Sequence, residues 1–164
     1  VLAALLATAL AAAPAPAEAY DPFEDPPPEG GRMARLSVTA WGGGLLGLTG
    51  GTRSGGSLAG GEVAWSFDSL DLGVQALSAQ VEAGSNRPVP VLLLRIGQHF
   101  ESRRGLEGSF TFGAGSARLG GKWQAWFQIG LGGRIDLGPI FLAAELGLEQ
   151  ADLVRVAGGI GVRF

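Results

Sequence analysis

From about residue 32 onward, apolar and polar side chains alternate with a period of two. That is the pattern of β-strands whose two faces meet different surroundings. No stretch of helical length shows a 3.6-residue apolar repeat. The alternation is clearest over Lys122–Leu137. There Trp123, Ala125, Phe127, Ile129, Leu131, Ile135 and Leu137 share one parity, and Lys122, Gln124, Gln128, Arg134 and Asp136 occupy the other, with Trp126 as the exception. Such a run exceeds the five or six residues typical of a globular strand. It also covers the nine to eleven residues or so needed to cross a bilayer.

The same reading predicts eight strands, over 32–43, 60–68, 70–81, 89–100, 106–117, 122–137, 140–150 and 152–164. The third starts cleanly with Leu72 and Val74 but changes parity near Ala76 and Leu77, which a β-bulge would explain. An even strand number suits an up-and-down barrel with both ends on one side. The connectors after strands two, four and six are short (Ser69, 101–105, and Gly138 with Pro139). Those after strands one, three and five are longer (44–59, 82–88 and 118–121), and the one near Ala151 is tight. This places the strand termini on the short-turn side, the periplasmic side of an outer-membrane barrel.

Alternation does not say which face points outward. In a soluble barrel the apolar parity fills the interior, whereas in a membrane barrel it meets lipid. Three features favour lipid. The apolar faces of strands four to eight carry almost no charge, and an Arg or Lys at mid-depth in lipid costs about 2–4 kcal/mol. Aromatic residues fall near the predicted strand ends, with Phe67, Phe100 and Phe164 at one end and Trp123 at the other, as in interfacial girdles. An export signal is also expected at the N-terminus. The fold class expected is therefore all-β, an eight-stranded antiparallel up-and-down transmembrane β-barrel.

The final strand, VRVAGGIGVRF, places Val154, Val156, Ile160, Val162 and the terminal aromatic Phe164 on one parity. This ending resembles that of the small eight-stranded outer-membrane barrels of the OmpA/OmpX type. It departs from their pattern at Gly158, where a large residue is common. The resemblance implies a bacterial outer-membrane location and lipid as a partner. It also implies that Val156, Ile160, Val162 and Phe164 form a signal read by the barrel-assembly machinery.

Composition narrows the function classes. With 29 glycines and 46% hydrophobic residues the chain is neither helical nor disordered. The absence of cysteine excludes disulfides and thiolate chemistry. A formal net charge of -3 with no basic run gives no sign of nucleic-acid binding. Residues 1–19 are apolar and end in Ala17, Glu18 and Ala19, which reads as a signal peptide truncated at its start. Residues 20–31 form a Pro-rich acidic periplasmic tail, which leaves 32–164 as the barrel.

The polar parity holds charges of both signs: Glu62, Asp68, Arg95, Glu107, Arg134, Asp136, Glu145, Glu149, Arg155 and Arg163. An eight-stranded interior is just wide enough for side chains to fill it, so these charges must pair. Glu145 and Arg155 on adjacent strands form the expected pair, with Arg134 beyond Glu145; Arg95 and Glu149 complete the expected interior network. His99 is the single histidine. Lipid A-modifying barrels use a His with a Ser and an acidic residue, and Glu101 and Ser102 follow His99, but no motif of that group matches around them. No cofactor or metal site is expected. The glycine-rich GGTRSGG stretch lacks the Lys-Ser/Thr of a phosphate loop and reads as an outer loop. The sequence thus points to a non-enzymatic, porin-like outer-membrane barrel that is structural or interacts through short extracellular loops. The alternatives are a lipid A-modifying enzyme and a soluble lipocalin-like barrel with Leu92, Leu94 and Ile96 lining its lumen.

Overall fold

The structure, a computed structural model, describes residues 35–48, 55–67, 69–81, 87–101, 106–150 and 152–164. The expected signal peptide and Pro-rich tail lie outside the described residues. Eight strands follow in order: β1 (Arg35–Gly47), β2 (Ser57–Phe67), β3 (Leu70–Ala79), β4 (Val89–Glu101), β5 (Leu106–Leu119), β6 (Lys122–Leu137), β7 (Ile140–Glu149) and β8 (Leu153–Arg163). Each pairs antiparallel with its sequence neighbours, and β1 pairs with β8 to close the barrel. Apart from the start of β6, which pairs with β5 alone before its ladder with β7 begins at Gln128, strand backbones find their partners within the wall, the condition for a sheet to stand in lipid.

The register fixes the barrel's dimensions. Phe100 on β4 faces Gly108, and the row of partners continues through Gly133, Ala144, Gly158, Gly42, Ala59 and Ser78 to Pro90. The row returns to β4 displaced from residue 100 to residue 90. A stagger of this kind tilts the strands by about 35–45° and leaves an interior that side chains can fill.

Neighbouring residues on β4 settle which face points outward: Leu93 is 0% exposed and Leu94 is 68% exposed. Leu92 and Ile96 lie on the same exposed face as Leu94. The lipocalin-like alternative, which needs these three side chains in the lumen, is therefore overturned. The exposed face is apolar on every strand, from Val38 and Val63 through Phe112, Ile129 and Leu146 to Ile160. Leu94→Arg is expected to cost about 2–4 kcal/mol in a bilayer, and Leu137→Arg at a strand end at most about 1 kcal/mol. Urea unfolding in lipid vesicles would check this; equal costs at the two positions would contradict a lipid-facing band.

Three expectations change. There is no bulge in β3: its register with β2 and β4 is unbroken, and Leu77 and Ala79 point inward on the same parity as Gln75. Parity is lost in the sequence because the lumen itself becomes apolar at that height. Trp126 likewise keeps the inward parity of β6 and is fully buried. The stretch assigned to a loop over 44–59 is partly strand, since β1 continues through Gly44 to Gly47 and β2 begins at Ser57. Ladder pairing on both sides outweighs the low strand propensity of glycine.

The β1 start and β8 end lie at one end of the barrel, here the near end, since Ser37 faces Arg163. The Phe164 amide donates to the Leu36 carbonyl at 2.8 Å and completes the seam there. Phe67 and Phe100 are exposed towards the near end, and Trp123 is exposed at the opposite, far end.

Candidate functional site: the filled lumen

The inward faces stack three tiers along the barrel. Nearest the termini, Arg134 of β6 pairs with Glu107 of β5 and lies 3.6 Å from Asp136 and 4.0 Å from Asp71. Arg163 of β8 holds the same Asp136 in a two-pronged bond, at 3.0 and 3.2 Å. His99 Nε2 is 2.5 Å from Asp71. The Phe141 ring lies between the two guanidiniums, 5.3 Å from that of Arg134 and 5.6 Å from that of Arg163. Gly161 makes room for this ring: a Cβ there would overlap it.

The middle tier is a chain of alternating charge. Arg95 bridges Glu62, at 2.5 Å, and Glu145; Arg155 lies 3.4 Å from Glu145 and 3.2 Å from Glu149. Desolvating ions is costly, and it is tolerated when every lone pair finds a donor. Here Glu62 also accepts from Trp41 Nε1 at 2.9 Å and from Gln75 at 3.1 Å. Glu145 accepts from Gln128, and Glu149 from Trp126 Nε1. Trp41 lies 5.8 Å from the Arg95 guanidinium and 5.6 Å from that of Arg155, repeating the arrangement around Phe141. Gly130 again leaves space, since a Cβ there would meet Thr111 and Glu145.

The far tier is apolar. Leu45, Leu58, Leu77, Val91, Leu93 and Leu153 pack with Trp126 and are all buried. Together with the charged tiers they fill the lumen, and in the sequence only the parity change near Leu77 and the exception at Trp126 marked this plug. Trp41, Gln75 and Phe141 were also missed; inward parity was the available signal.

The five residues expected to form one network divide between tiers. Arg95, Glu145, Glu149 and Arg155 meet in the middle tier. Arg134 does not reach Glu145: it is registered opposite Ala143, and Gly132 is the residue opposite Glu145. The expectation that Arg134 continues the Glu145–Arg155 pair is corrected accordingly. Asp68 lies outside the described residues. Val156, Ile160 and Phe164, from the expected assembly signal, are exposed on the apolar outer face; Val162 shares their parity and is half-buried.

His99 and Asp71 point into the lumen, away from the lipid-facing surface. Ser102 and the Glu101 side chain lie outside the described residues. Among the described residues no group of three or more His, Cys, Asp or Glu side chains could hold a metal ion.

Comparison with solved structures agrees with this geometry. A chain described as a de novo designed transmembrane β-barrel superposes with a TM-score of 0.56 at 15% identity, covering 80% of this chain and 95% of that one. The fold is that of the small transmembrane β-barrels. A second designed barrel, TMB2.3, gives a TM-score of 0.52 at 14% identity over 80% of this chain and 94% of its own. Neisserial surface protein A gives 0.51 at 12% identity, over 80% of this chain and 97% of its own. No protein-family model matches the chain, and no curated protein matches it.

Proposed function

We propose that the protein is a non-enzymatic barrel of the bacterial outer membrane, closed to ions, which serves as a rigid scaffold for the connectors at its far end. The observation that carries this reading is the filled lumen. An open pore needs a continuous wet path, and here two arginine–carboxylate tiers are capped by an apolar plug containing Leu93, Trp126 and Leu153. The location is supported by the small outer-membrane barrel among the structural neighbours and by the apolar exterior. In that orientation the near end faces the periplasm and the far end faces outward. The connectors at the far end span 48–56, 80–88, 120–121 and 150–152, so contacts there would involve these short extracellular loops.

Two measurements test the reading. Cell fractionation should recover the protein with outer membranes, requiring detergent for release and migrating differently on gels before and after boiling. In planar bilayers, the folded barrel should give no steady open-channel current. Recovery as a detergent-free soluble protein would refute the location, and a stable ohmic conductance would refute the closed lumen.

A further inference from the structure

The hairpin joining β5 to β6 at the far end, with the sequence Arg118, Leu119, Gly120, Gly121, Lys122, Trp123, differs from the rest of the wall. Its turn is two glycines at φ 55° and 81°. Positive φ at both central residues matches the right-handed twist of the flanking strands and gives a tight, fixed hairpin. Leu119 anchors the tip by packing into the apolar plug. The residues around the turn are thereby held in place.

Arg118 is registered opposite Trp123, and Leu119 opposite Lys122. Arg118 is exposed and follows Phe110 and Phe112 on the outward parity of β5; Trp123 is 60% exposed and outward on β6. Lys122 is on the inward parity of β6 but, beside the turn, is exposed at the rim. Neither Arg118 nor Lys122 forms an ion pair among the described residues, whereas every lumen arginine does.

The height of this group decides what it meets. From Trp123 to Leu137, β6 covers about 36 Å along the barrel axis at about 3.4 Å per residue and a tilt of about 40°. The apolar band of such barrels is only about 25 Å tall. With β6 centred on that band, each end extends about 5 Å beyond it, which puts Trp123 and Arg118 at headgroup level on the far side. Tryptophan favours that level, and an outward arginine at the end of an apolar strand extends its charge to it.

We propose that Arg118 and Lys122, flanked by Trp123, bind the phosphate of an anionic lipid in the leaflet at the far end. The inference rests on the membrane reading above. Native mass spectrometry of the folded full chain in detergent micelles with equimolar phosphatidylglycerol and phosphatidylcholine tests it. Phosphatidylglycerol adducts should exceed phosphatidylcholine adducts by about fivefold or more, since each basic residue near an anionic surface adds to the attraction. Arg118→Gln with Lys122→Gln should bring the ratio towards parity, and either single variant should give an intermediate value. Arg35→Gln, at the exposed near end, should leave it unchanged.

Parity in the unaltered protein, a preference retained by the double variant, or a preference lost in Arg35→Gln would overturn the site. Loss of the preference on adding equimolar inorganic phosphate would also overturn it, by making a soluble anion the ligand. Heat-modifiable migration checks folding in each sample. A chain that fails to enter micelles or vesicles at all refutes the membrane reading itself, a result distinguishable from lost lipid selectivity.

Discussion

Arg95→Met is expected to destabilise the barrel by about 3–5 kcal/mol, because it leaves two carboxylates buried without their shared cation. Arg95 is 5% exposed and is bonded to Glu62 and Glu145. Methionine fills similar volume, so lost packing contributes little and the effect isolates the charge. Glu145 would keep Arg155 at 3.4 Å and Glu62 would keep only the neutral donors Trp41 and Gln75. Urea unfolding in lipid vesicles, followed by tryptophan fluorescence, would measure the loss. The triple change of Arg95→Met, Glu62→Gln and Glu145→Gln should recover most of it, since it removes Arg95 together with both of its carboxylates and leaves Arg155 paired with Glu149 at 3.2 Å. A loss below about 1 kcal/mol in Arg95→Met, typical of an exposed ion pair, would show that the middle tier is open to water.

The second large effect is expected at the seam. Gly43 on β1 lies directly across from Ala157 on β8. A Cβ added at Gly43 would fall well inside contact distance of the Val156 carbonyl oxygen, and 2.7 Å from the Ala157 Cα. Both are backbone atoms, so no rotamer change can relieve the clash, and the closing ladder must shift. Gly43→Ala should therefore cost about 3 kcal/mol, at the upper end for overpacking. Gly42→Ala, one residue away, provides the contrast, because its Cβ would meet nothing within 4 Å. It should stay within about 0.5 kcal/mol, as surface changes do. Equal effects at the two glycines would mean that chain entropy, common to both, governs the outcome and that closure at Gly43 is not close.

Much of this architecture was legible in the chain. Six of the eight strands begin or end within two residues of the expected position at both ends, because a barrel wall keeps two different surroundings on its faces along its whole length. β1 and β2 were the exceptions. Their glycines hid the strand ends, and only the pairing of residues 44–47 with β8 and of residues 57–59 with β1 extended them. The lumen was legible where it is polar and unreadable where it is not. Glu145 and Arg155 stood out against an apolar outer face; Leu77, Leu93 and Trp126 did not, since period-two patterning requires a contrast that an apolar lumen removes.

The sequence by itself determined the strand count, the alternation, and which side chains share a face with Arg95, Glu145 and Arg155. Those features depend only on the two-residue repeat of an extended chain. Apart from the Glu145–Arg155 pair, which the adjacency of the last two strands predicts, tertiary structure decided which charges meet. The stagger of the closed sheet sets the height of each residue, and it puts Gly132, and not Arg134, beside Glu145. It likewise gathers Leu45, Leu58, Leu77, Leu93 and Leu153 from five strands into one plug. Height within a barrel is a property of the closed ring of pairings, and no single strand carries it.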